Sequence, residues 1–192
     1  MRIDRPALVL GSTQRADVVD SAGAERRSID VVRRRSGGGA VLLTPDDHVW
    51  IDLLVPAGDP RWDDDVTRAA HWAGECWAGA LEGLGWTPVT VHRGGLVKTE
   101  FSRLVCFAGL GPGEVSVGPR KVMGLSQRRS RSWTRIQTIA YLSWRPGDLV
   151  SLLALDPADR TGVLEALETA VSGLDCAGDD LAAAVLAALP RR

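Results

Sequence analysis

Between two short apolar segments the chain carries Arg33-Arg34-Arg35-Ser36-Gly37-Gly38-Gly39-Ala40-Val41, and the three consecutive glycines restrict what this stretch can be. With no Cβ on three successive residues, a loop takes up positive φ without strain and turns its backbone N–H groups toward a ligand at close range. An anion or a carbonyl is the natural guest. Ile29 to Arg35 and Val41-Leu42-Leu43 read as strands, so sheet holds the loop on both sides. Strand alternation sends Arg33 and Arg35 to one face and Arg34 to the other, with Val32. Arg34 is therefore the expected counter-ion for whatever the loop holds. Read alone, the segment is equally a solvated arginine run before a flexible turn, and a second segment has to decide.

That segment runs from Arg103 to Gln137. Leu104-Val105-Cys106-Phe107, Glu114-Val115-Ser116-Val117 and Arg120-Lys121-Val122-Met123-Gly124-Leu125-Ser126-Gln127 read as hairpin strands, with Gly111-Pro112-Gly113 in a turn and Lys121 near a strand end. Arg120, Lys121, Arg128, Arg129, Arg131 and Arg135 form the densest basic patch, with Trp133 inside it. Such a patch is commonly a solvated face, and with an aromatic it also suits single-stranded nucleic acid. A net charge of -1 and a pI near 6.3 argue against a protein that coats nucleic acid through a global positive field.

The remaining chain supplies a frame. Ala7-Leu8-Val9-Leu10 is a strand stopped by Gly11, Asp17 to Arg27 reads as a modest helix, and His48 to Val55 is a strand ended by Pro56. Asp63-Asp64-Asp65 open a helix whose apolar stripe is Val66, Ala69, Ala70, Ala73, Cys76, Trp77, Ala80, Leu81 and Leu84. His71 and Cys76 on that helix are about 140° out of line, so they do not pair as a catalytic or metal site. After the Pro146-Gly147 turn an apolar run resumes from Asp148 to Leu153, and two helices finish the chain, the second started by Asp179-Asp180. The 192 residues, 45% hydrophobic and 24% charged, suit one globular domain, residues 1–192. Cys76, Cys106 and Cys176 show no CxxC and no paired His spacing, so neither a zinc site nor a disulfide scaffold is indicated. No signal segment and no apolar stretch of spanning length is seen, and a cytoplasmic protein with no membrane partner is expected.

Taken together, arginines before Ser36-Gly37-Gly38-Gly39-Ala40-Val41 and, downstream, Lys121-x-x-Gly124-x-Ser126-Gln127 resemble the lipoate–protein ligase and octanoyltransferase superfamily. Gly11-Ser12-Thr13-Gln14 resembles that family's early Gly-x-x-Gln, and Gln137 falls where the family places a Gln ahead of a His-Gly pair. The similarity runs from about residue 7 to 155, leaving 156–192 as C-terminal helices. The resemblance implies an α/β (α+β) catalytic domain of the biotinyl/lipoyl ligase type, with a mixed β-sheet, flanking helices and an apolar tunnel for an acyl chain. It also implies roles. Lys121 would hydrogen-bond the acyl carbonyl and stabilise the negative charge that develops on acyl transfer. Arg34, Ser36, Gly37, Gly38, Gly39, Ala40, Gly124 and Ser126 would line the acyl group or an adenylate phosphate. Arg128, Arg129 and Arg131 would meet an acidic carrier domain at the pocket mouth.

The implied cofactors are ATP and Mg²⁺, with lipoate or octanoate as substrate and no resident metal. The implied partners are lipoyl carrier domains, either 2-oxoacid dehydrogenase subunits or a glycine cleavage carrier protein, and in the transferase branch an acyl carrier protein. Cys106-Phe107 resembles the Cys-Phe that precedes the Lys motif in some transferases, where the thiol takes the acyl group as a thioester. Inside an apolar run, Cys106 reads equally as a core residue. The chain departs from the ligase pattern in having Leu42-Leu43-Thr44 after the glycines and Thr138-Ile139 after Gln137. Three functions therefore stand: an adenylate-using ligase, a Cys106-dependent transferase, and a non-catalytic acyl- or nucleotide-binding partner protein.

Overall fold

The computed structural model describes residues 3–190. Its strands form two sheets. In the smaller, β1 (Ala7–Leu10) lies between β2 (Asp30–Arg33), which it meets in parallel, and β3 (Val41–Leu43), which it meets antiparallel. The larger sheet is antiparallel throughout and built from β4 (His48–Pro56), β5 (Val89–Val91), β6 (Val115–Val117), β7 (Arg120–Arg129) and β8 (Trp133–Tyr141), in the order β4-β8-β7-β6-β5. The mixed α+β class stands, with parallel pairing between strands found in the small sheet, beside isolated parallel bridges at Ala40–Val105 and Lys121–Val171.

Period-2 alternation explains why the large sheet has two buried faces. On β8, Ile139 and Tyr141 join one core while Ala140 joins the other, and on β4 Trp50 and Val49 divide the same way. The first core is completed by the small sheet, by α3 (Pro146–Val150) and by α4 (Pro157–Ala170), whose Val163 and Leu167 are fully buried. The second is completed by α2 (His71–Gly83) and α5 (Gly178–Ala187), through Trp77, Ala80, Leu81, Leu181 and Val185. Truncating a side chain such as Leu81 to Ala would cost about 2–5 kcal/mol, since nothing around it can collapse freely. The small sheet is tied to the large one by Tyr141, whose hydroxyl donates to Leu42 O at 2.9 Å and whose ring sits between Phe107 and Trp144 at 5.1 and 4.9 Å. Burial pushes the Tyr141 phenol far above its ordinary range, so it remains a donor.

Several sequence expectations need correction. The Asp17–Arg27 helix contracts to a 3-10 turn at Ala16–Val18 and α1 (Ser21–Arg26), because Asp20 caps α1 by accepting from Gly23 N at 2.9 Å. The three aspartates do not open α2 directly; Asp65 accepts from Thr67 N and Arg68 N in the preceding turn, which leaves Val66 exposed. Leu104-Val105-Cys106-Phe107 is not a hairpin strand. Val105 makes a single parallel bridge to Ala40, after which Cys106–Ala108 winds into a 3-10 turn. The hairpin that carries Lys121 turns at Gly118, with φ +55°, rather than at Gly111-Pro112-Gly113. The apolar run after Pro146, left without a secondary structure by the sequence, begins as α3. Among the described residues no helix is long and apolar enough to cross a membrane.

Candidate functional site

The glycine loop, the Thr13–Arg15 loop, the 96–112 segment and β7 enclose a cavity of about 900 Å³, within the range of small-molecule sites. Gly37, Gly38 and Gly39 form part of its wall, and Ser126 and Gln127 of β7 form another. The two segments singled out in the sequence thus face one space.

Arg34 stands one residue past the end of β2, and its guanidinium turns back on the loop. It donates to Gly37 O at 2.7 Å, to Gly39 O at 2.8 Å and to Val9 O at 3.2 Å. Its donors grip main-chain oxygens instead of reaching out as a free counter-ion. The same contact explains Gly38. Its φ is +96°, and a Cβ there would lie 2.9 Å from Arg34 Nη2 and 3.5 Å from Cys106 Sγ. At Gly39 a Cβ would fall 2.5 Å from the carbonyl carbon of Val105, so the loop rests on the backbone of the Cys106 segment. Ala40, fully buried, completes this junction by accepting from Cys106 N and donating to Leu104 O.

Ser36 is buried beneath the loop and belongs to a polar chain. Ser126 Oγ donates to Ser36 Oγ at 3.0 Å, Ser36 Oγ donates to Gln137 Oε1 at 2.8 Å, and Gln137 Nε2 donates to Asp52 Oδ1 at 3.0 Å. Asp52 also accepts from Trp50 Nε1 and from Arg135. Burial alone would push the Asp52 carboxyl up, but the hydrogen bonds from Arg135, Trp50 and Gln137 outweigh it and hold it below the usual carboxylate range. Gly124 makes room for Phe107, whose ring carbon would stand 3.0 Å from an added Cβ.

Lys121 is 4% exposed. Its ammonium donates to Glu114 Oε2 at 2.6 Å, Gly109 O at 2.8 Å and Cys106 O at 3.3 Å, and lies 4.8 Å from the centre of the Phe107 ring. Three acceptors for three protons leave it satisfied. Glu114, equally buried, accepts further from Gly111 N and Leu125 N, and its carboxylate stands on the cavity wall together with Gly109 and Cys106. Lys121 therefore sits one layer behind the cavity. Cys106 is half-buried and lines the space under Gly38; the contact from Lys121 goes to its carbonyl.

The basic patch divides. Arg129 stacks 5.0 Å over Trp62 and donates to Asp63 O, and Arg128 lies 5.6 Å over Trp133. Arg131 sits exposed in the β7–β8 turn, beyond the Gln127 end of the cavity. Sequence reasoning missed the cations on the cavity wall itself, Arg15, Lys98 and Arg103, because each is an isolated charge in a loop. It also missed Glu114 and Asp52. An acid in the middle of the apolar strand Val49 to Val55 was the available signal for Asp52. Among the described residues no group of three or more His, Cys, Asp or Glu gathers to hold a metal ion.

The model of the lipoyl protein ligase A/B catalytic domain family matches residues 1–175. No curated protein matches the chain. Among solved structures, an archaeal bipartite lipoate protein ligase from Thermoplasma acidophilum, studied with its E2 lipoyl domain, superposes with a TM-score of 0.74 at 18% identity, over 96% of this chain and 66% of that one. A lipoate-protein ligase A bound with ATP gives 0.72 at 18% identity, over 96% and 67%. The P. falciparum protein LipL1 in complex with lipoate gives 0.67 at 12% identity, over 96% and 46%. The chain therefore spans about two thirds of the length of the first two and less than half of the third. At these identities the likeness is one of fold.

Proposed function

Since the chain belongs to the family of lipoyl protein ligase A/B catalytic domains, we propose that it attaches a lipoyl or octanoyl group to a lysine of a lipoyl carrier domain by way of an acyl-adenylate. One observation carries this reading: the glycine loop and the Lys121 motif, about 80 positions apart, meet around a single cavity whose wall is partly cationic and partly apolar. Gly37 to Gly39, with Arg15, Lys98 and Arg103, suit a phosphate or carboxylate, while Val18, Val66, Leu96 and Leu125 suit a hydrocarbon chain. ATP, when bound, supplies the leaving group that activates the carboxylic acid. A magnesium ion would arrive on the nucleotide phosphates, because Glu114 is the carboxylate on this wall among the described residues and its oxygens are taken by Lys121, Gly111 N and Leu125 N.

In this reading Lys121 engages the acyl carbonyl by releasing Cys106 O, the longest of its three contacts at 3.3 Å. The cation stays paired with Glu114 while one N–H is turned toward the reacting oxygen, where a fixed donor lowers the barrier as charge develops. Residues 1–192 act as one catalytic domain. Arg128 and Arg131 receive an acidic carrier domain, speeding encounter. The free thiols of Cys76, Cys106 and Cys176 suit a reducing, cytoplasmic setting.

The half-buried thiol under Gly38 favours a second reading, transfer through a Cys106 thioester from an acyl carrier protein. Intact mass of an apo lipoyl domain separates the two. Incubation with octanoate, ATP and Mg²⁺ is expected to add one octanoyl group, and Cys106→Ala is expected to retain this. Modification from octanoyl-carrier protein without ATP, abolished by Cys106→Ala, would replace the ligase reading with the transferase one. No modification from either donor would leave a binding protein.

A further inference from the structure

The polar chain that starts at Asp52 ends at the cavity, and its direction is fixed by chemistry. A carboxylate only accepts hydrogen bonds, and Asp52 is held ionised by three donors, Arg135, Trp50 and Gln137. Gln137 must therefore turn its NH₂ to Asp52 and its carbonyl oxygen to Ser36. The proton of Ser36 is then committed to Gln137, which leaves Ser36 Oγ able only to accept from Ser126. Ser126 thus gives its proton inward. What remains of its hydroxyl on the side of the cavity it lines is lone pair. Reversing Ser126 would leave the buried Ser36 oxygen short of a donor, a cost comparable to losing the whole bond.

We propose that Asp52, acting through Gln137 and Ser36, polarises Ser126 as a hydrogen-bond acceptor toward the cavity, so that Ser126 selects a ligand group that donates, a hydroxyl or an amine, and disfavours a carboxylate, carbonyl or phosphate oxygen at that spot. Asp52 is a positioning residue, remote from the ligand; Ser126 is the residue that touches it. The loop of three glycines and the Ser126 end of the cavity accordingly divide the ligand by hydrogen-bonding sense. Oxygens go to the loop N–H groups and cationic wall, and a donor goes to Ser126. With the adenylate reading, on which only this identification rests, the donor is a ribose hydroxyl or the 6-amino group of adenine.

Two measurements test the proposal. A neutron structure of the deuterium-exchanged wild-type protein is expected to place the Ser126 deuteron toward Ser36 and the Ser36 deuteron toward Gln137; a Ser126 deuteron directed into the cavity would overturn the proposal. In solution, binding of ATP, 2′-deoxy-ATP, 3′-deoxy-ATP and purine riboside triphosphate is compared for wild type, Ser126→Ala and Asp52→Asn. One analogue lacking its donor is expected to bind wild type roughly 5- to 10-fold more weakly than ATP, the worth of one hydrogen bond. Ser126→Ala is expected to lose that difference, and Asp52→Asn, which lets the Gln137 amide turn over, to shrink it. Unchanged discrimination in Ser126→Ala would refute the selecting role. If wild type binds none of the four nucleotides while the deuterons lie as described, the adenylate reading fails and the acceptor polarity of Ser126 stands.

Discussion

Replacing Glu114 by Gln asks how much of the fold depends on the pair behind the cavity. Both partners are 4% exposed, the N–O distance is 2.6 Å, and each is otherwise bonded only to main-chain groups in the described structure. Removing one charge leaves the other buried without its counter-charge, which typically costs about 3–5 kcal/mol. In a chain of this length each kcal/mol lowers Tm by about 2–4 °C, so Glu114→Gln is expected to melt roughly 6–20 °C below wild type. Lys121→Met should be milder than Glu114→Gln, since the carboxylate keeps the N–H groups of Gly111 and Leu125. The double variant should lose less than the sum of the singles, because neither charge is then stranded. Urea unfolding followed by tryptophan fluorescence gives all four free energies. Single-variant losses below about 1 kcal/mol, the worth of an exposed pair, would refute the reasoning and place Lys121 in solvent.

Three further outcomes follow from the geometry. Gly37→Ala is expected to unfold within about 1 kcal/mol of wild type, since an added Cβ meets nothing within 4 Å, whereas Gly39→Ala, 2.5 Å from Val105 backbone, should lose several-fold more by the same urea titration. Asp52 has its carboxyl held below the ordinary value of 3.8, so it stabilises the fold above that pH and its contribution disappears as pH falls below 3.8 toward the depressed folded value. An acid titration of unfolding free energy should therefore be flatter in Asp52→Asn over that interval. Reversal of Arg128 and Arg131 to Glu should slow association with an acidic lipoyl domain about 10-fold at low salt and weaken its salt dependence, read by stopped flow.

The parts of the fold that were legible in the chain are those where one local rule dominates. Short apolar runs marked β1, β3 and β4, and three glycines between strands marked the loop, because backbone freedom there is independent of tertiary context, whereas β8, interrupted by Arg135 and Gln137, does not read as a strand from the sequence. The Leu104–Phe107 run misled, since its apolar residues are buried by a turn that comes back under Ala40 and Gly39, a contact that strand periodicity does not encode. Lys121 stood out by motif, but its burial depends on Glu114 across the β6–β7 hairpin, and a lysine is ordinarily read as surface. For Arg34 the strand pattern was silent on what the side chain meets: its guanidinium donates to Gly37 O, Gly39 O and Val9 O. Alternation gives a side chain's face within a strand, and Arg34 has already left β2, where the geometry of the turn decides what its guanidinium meets.

Among the described residues no strand ladder joins the small sheet to the large one; the Ser126–Ser36–Gln137 chain and the Tyr141–Leu42 bond are among the polar stitches across the seam. The cavity opens along that seam, with Gly38 on one lip and Ser126 on the other. A molecule gripped by both lips is therefore a rivet as well as a guest. Its binding free energy favours the state in which the two sheets are joined, so heat resistance should climb with occupancy, and a melt in the presence of ligand reports how firmly both plates are held.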